Sequence, residues 1–162
     1  MSGYPPEIER LHETLSSLKG IEDVCSGIDN LDGLGDADVR SVAMGHLPVG
    51  TLLRTQGGLK DESMLQFEFR LDGTPASLIS LEFLAWFIRD QARAGNVIQL
   101  RPFALPPSGP GGVQLGQTLK FHIDYFIVNP TDSLRPFLDR IWDLTESLRL
   151  AMDLYRIPTR GT

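Results

Sequence analysis

Two periodicities of apolar residues organise the chain. Ile8, Leu11, Leu15 and Leu18 recur on one helical face behind Pro5-Pro6, with acids in the first turn and Gly20 at the end, which predicts a short amphipathic helix over 5–19. A second helix is predicted over 75–94, with Thr74 as N-cap, Pro75 as its first residue, Arg89 and Arg93 suited to the C-terminal dipole, and Gly95 as the stop. Its middle, from Leu78 to Ile88, is apolar nearly all round, and such a helix needs cover on more than one side. A third helix starts near Ser133, keeps Pro136 within its first turn and runs to about Arg156, ahead of Pro158. Leu134, Ile141, Leu148 and Tyr155 are spaced by seven, as are Phe137, Leu144 and Ala151. Leu138, Trp142 and Met152 widen that stripe beyond a coiled-coil seam.

The second period is two residues. Leu65, Phe67, Phe69 and Leu71 alternate with Gln66, Glu68 and Arg70, and Leu119–Val128 alternates as cleanly, so both predict strands with one buried face. Thr51–Gln56 is a further strand candidate. Val97–Leu105 reads as a strand whose phase shifts at Pro102, a residue tolerated at a bulge or a sheet edge. Residues 21–50 are acidic and glycine-rich and read mostly as loop, with Val39–Met44 as a brief strand at best; residues 106–112 read as a Pro/Gly loop. The simplest layering is one α+β domain: an antiparallel sheet of about four to five strands, helices on one face, in the order α-ββ-α-ββ-α. Within residues 1–162, helix 5–19 and the acidic segment 21–50 precede a sheet-and-helix core at 51–156 and a tail at 157–162.

Charge narrows the partners. The net charge of −6 resides in residues 1–44, where nine acids face three bases, while the remainder balances twelve against twelve. Without a basic excess, the electrostatic footprint for nucleic acid or anionic membrane is missing. The longest apolar stretch is too short to span a bilayer, the first residues lack the features of a signal peptide, and a single cysteine, Cys25, excludes an internal disulfide. These features point to the cytoplasm.

Candidate chemistry is sparse. Glu68, Lys120, His122 and Asp124 should share one sheet face, joined by Gln66, Gln99 and Arg101, and a histidine two residues from an aspartate could share a proton or a metal. A solvated face whose charges alternate with the core side explains the same pattern. The acidic run Glu22–Asp38 fails as a calcium loop, because Gly33 at the turn puts Ile28 first and Gly35 puts Leu34 fifth. Neither glycine cluster has the spacing of a phosphate loop, and Cys25 sits among acids that disfavour a thiolate. Glu82, Arg89 and Arg93 form the polar edge of the middle helix. No metal or cofactor is expected, and an enzyme built on His122, Asp124 and Glu68 ranks last of three readings. The first is a homodimeric protein-binding module, with Trp86, Phe87, Leu134, Ile141, Trp142, Leu148 and Tyr155 as partner or dimer residues. The second is a small-molecule regulator with a pocket between helices and sheet.

The order of elements, with an apolar middle helix Pro75–Ala94 and a long last helix after the Leu119–Val128 strand, resembles the type III secretion chaperone-like fold, which also includes bacterial regulators. The resemblance implies a homodimer that binds protein segments on its surface. The Pro/Gly stretch at 106–112 and the acidity confined to the first 44 residues depart from it.

Overall fold

The computed structural model describes residues 5–28, 63–105, 118–127 and 134–161. Helix α1 spans Pro6–Ser17, strand β1 Ile21–Ile28, β2 Ser63–Leu71, helix α2 Pro75–Arg93, β3 Ile98–Phe103, β4 Lys120–Ile127 and helix α3 Leu134–Leu154. The four strands form one antiparallel sheet in the order β1-β2-β4-β3. Because β2 and β3 both run antiparallel to β4, they are parallel to each other, and β2–α2–β3 is a crossover with β4 inserted in its gap. The α+β class and the helix positions agree with the periodicities.

One parity of the strands makes the core. Leu65, Phe67 and Phe69 of β2, Ile123 and Tyr125 of β4, and Ile98 of β3 join buried residues of all three helices in a single cluster. Phe69 and Phe121 stack across neighbouring strands at 5.7 Å. Salt bridges Glu7–Arg135 and Arg10–Glu146 join α1 to α3, and the Arg10 guanidinium lies 4.1 Å over the Trp142 ring.

One expectation requires correction. Residues 21–28 are not loop but an edge strand, paired with β2 from Ile21↔Leu71 to Ile28↔Leu65. The register shifts between Glu22 and Cys25, where Asp23 takes φ 54°; a bulge of this kind admits acids that regular alternation would exclude. The strand candidates 39–44 and 51–56, the acidic run past Ile28 and the loop 106–112 lie outside the described residues. For Pro102 the edge alternative holds. The Phe126 N–H donates to the Val97 carbonyl, so the antiparallel alternation turns residues 98, 100 and 102 of β3 away from β4. The missing N–H of Pro102 therefore costs the sheet no bond.

Gly20 also differs from its expected role as a simple helix stop. It has φ +86°, and a Cβ there would lie 2.5 Å from the Ser77 backbone. The turn after α1 is pressed against the start of α2. Ser80 Oγ donates to the Lys19 carbonyl at 2.7 Å, and Asp72 N–H to the Gly20 carbonyl at 2.9 Å. That contact explains two wholly buried serines on an otherwise apolar helix face, since Ser77 Oγ is satisfied by the Thr74 carbonyl.

Candidate functional site

The polar face of the sheet brings the expected residues together in cross-strand rows. One row sets Glu68 opposite His122 and His122 opposite Arg101; the next sets Gln66 opposite Asp124 and Asp124 opposite Gln99. The centre of this face is not solvated, contrary to the simple alternation. Asp124 is 0% exposed. Its Oδ1 accepts from Gln66 Nε2 at 2.9 Å, and its Oδ2 accepts from Gln99 Nε2 at 3.1 Å and from Arg101 Nε at 2.5 Å. Burial alone would raise the Asp124 pKa, but donation from Gln66, Arg101 and Gln99 outweighs it and holds the carboxyl below its ordinary range.

That arrangement commits Asp124 to structure. Three fixed donors hold its two oxygens, and no hydrogen bond joins it to His122. His122 lies under Phe103, with ring centroids 5.4 Å apart, and its side chain is 12% exposed. Glu68 Oε1 is 3.9 Å from His122 Nε2, beyond hydrogen-bond reach, and is instead paired with Lys120 Nζ at 2.7 Å. Neither imidazole nitrogen has a hydrogen-bond partner. Glu68, His122 and Asp124 are thus neighbours without a connected proton path. Among the described residues, no group of three or more His, Cys, Asp or Glu side chains is placed to hold a metal ion.

A second site was only partly legible. Between α2 and the end of α3 lies an open groove of about 340 Å³, lined by Ile79, Glu82, Phe83, Trp86, Tyr155 and Ile157. Trp86 and Tyr155 meet edge to face at 5.2 Å and remain 45% and 55% exposed. Tyr155 is brought there by a C-terminal turn: Ile157 N–H donates to the Met152 carbonyl at 2.9 Å, and Arg156 adopts φ 53°. Ile79 and Trp86 share a helix stripe, a signal present in their seven-residue spacing. Ile157 carries no such signal, because its position depends on the chain folding back after α3.

Placement of the proposed contact residues is mixed. Trp86, Trp142 and Tyr155 are exposed. Phe87, Ile141 and Leu148 are corrected to core residues of the protomer, since each lies on the side of its helix that meets the sheet and the other helices. Leu134 opens α3, and its side chain lies outside the described residues. Among the described residues, this groove lies between two helices and not between helices and sheet. No known protein family, no curated protein and no solved structure matches this chain.

Proposed function

We propose that the chain is a non-enzymatic protein-binding module, chaperone- or adaptor-like, that works as a homodimer in the cytoplasm. The observation that carries this reading is the groove, where the large apolar side chains of Ile79, Trp86 and Tyr155 stay exposed side by side. Exposed aromatic residues beside a concave apolar surface suit the anchoring side chains of a protein segment. The polar sheet face fits the same reading, because Asp124 is held by three donors and shares no hydrogen bond with His122. The resemblance to type III secretion chaperone-like proteins points in this direction too.

A photo-reactive amino acid placed at Ile79 in the native cell tests the reading. A discrete adduct larger than a crosslinked homodimer, lost when Trp86 is changed to Asp, is the expected result. Crosslinking to no other protein would overturn it. A second reading rests on the groove volume, which falls within the range of small-ligand sites, about 300–1,000 Å³. Under that reading an apolar metabolite raises the melting temperature, and Ile79 crosslinks to no protein.

A further inference from the structure

We infer that the homodimer forms through antiparallel self-pairing of α2 about a two-fold axis at Ala85, an inference that rests on the dimeric reading above. Leu78, Glu82, Ala85, Arg89 and Ala92 follow one another at intervals of four, three, four and three residues, the spacing of a helix-packing seam. All five are exposed, and Leu78 is 62% exposed, so the seam has no cover within the described residues of the protomer.

The order of residues along the seam identifies its occupant. Glu82 and Arg89 stand seven residues apart, about 10 Å along the helix, too far to pair with each other. Neither forms an ion pair elsewhere among the described residues. A second copy running antiparallel, with Ala85 on the two-fold axis, brings each Glu82 to within one residue, about 1.5 Å along the axis, of the other copy's Arg89. The same operation sets Leu78 against Ala92, and Ala85 against Ala85 where the helices approach most closely. An in-register parallel copy would instead oppose Glu82 to Glu82 and Arg89 to Arg89. The charges therefore select the antiparallel two-fold, and an isologous patch of this kind is self-complementary by construction. The groove adjoins the seam and shares Glu82 with it, while Ile79, Trp86 and Tyr155 lie off the seam.

Charge reversal tests the pairing. Sedimentation of the full chain over a micromolar concentration series should show a dimer whose dissociation constant rises at least about tenfold in Glu82→Arg and in Arg89→Glu, because each opposes like charges twice. The double variant Glu82→Arg/Arg89→Glu should return it to within about threefold of the original. Independently, Ala85→Cys in a Cys25→Ser background should oxidise to a disulfide-linked dimer, since only a residue at the axis meets its own copy. A dimer indifferent to both single reversals, with Ala85→Cys failing to crosslink, would overturn the α2 interface while leaving the dimeric reading intact. A strictly monomeric wild-type chain would overturn both. Loss of the dimer in the double variant as in the single ones would overturn the charge pairing.

Discussion

Asp124 shows how a carboxylate becomes part of a core. It sits on the sheet face that alternation assigns to water, yet it is fully buried by its neighbours on β2 and β3. Burial of a charge is unfavourable unless fixed donors replace its hydration, and three side chains do so here. Asp124→Asn should lower stability by about 2 kcal/mol: an amide offers one accepting oxygen, and its N–H₂ meets donors on the other side. The native carboxyl titrates below its ordinary value of 3.8, so its stabilisation is complete above that value and is lost as pH falls through the lower folded one. The urea midpoint of the native chain should therefore drop as pH is lowered below about 4, and this component of the slope should vanish in Asp124→Asn. Identical acid slopes for the two proteins would refute the assignment.

Among the elements, those with a single strong period were legible and those shaped by a neighbour were not. Helices α1, α2 and α3 and strands β2 and β4 lie where spacing and caps put them, because each buries one regular face. Strand β1 is not legible in the sequence, since its acids and Gly27 obscure any alternation and the register shift at Asp23 breaks its period. The sheet order was equally hidden, as no local pattern says that β4 inserts between β2 and β3. At the candidate site the shared polar face of Glu68, His122 and Asp124 is legible from parity, whereas the Gln66–Asp124–Gln99 closure depends on register. Gly20 belongs to this class, because its local role as a helix stop conceals a tertiary one. Replacing it with alanine forces a side chain against the Ser77 backbone and strains φ +86°, so Gly20→Ala should cost about 2–4 kcal/mol. Gly73→Ala makes the control: its φ of +82° is similar, but a Cβ there meets nothing within 4 Å. Backbone strain alone predicts a smaller loss for it, and equal losses in a thermal melt would show that the contact with α2 is immaterial.

At the scale of the molecule, one polar sheet face and one helix-covered face leave α1 to be fixed by its contacts with α3, β1 and the returning tail. The tail closes on α1: Leu18 and Thr159 form an antiparallel bridge, Lys19 N–H donates to the Pro158 carbonyl at 3.1 Å, and Arg160 N–H donates to the Ser17 carbonyl at 2.8 Å. The Arg160 guanidinium also donates to the Ile21 carbonyl at the start of β1. These bonds tie the end of the chain to the junction between its first helix and first strand, with Gly20 and Ser77 immediately alongside. Removing residues 158–162 deletes these hydrogen bonds and should destabilise the fold by about 2–4 kcal/mol, read as a lower urea midpoint with a nearly unchanged slope. Hydrogen exchange should localise the effect, with amides of α1 and β1 losing protection before those of β2 and β4. Uniform loss of protection would mean that the tail acts on the whole core at once, and an unchanged midpoint would mean that the strap contributes nothing to holding α1 in place.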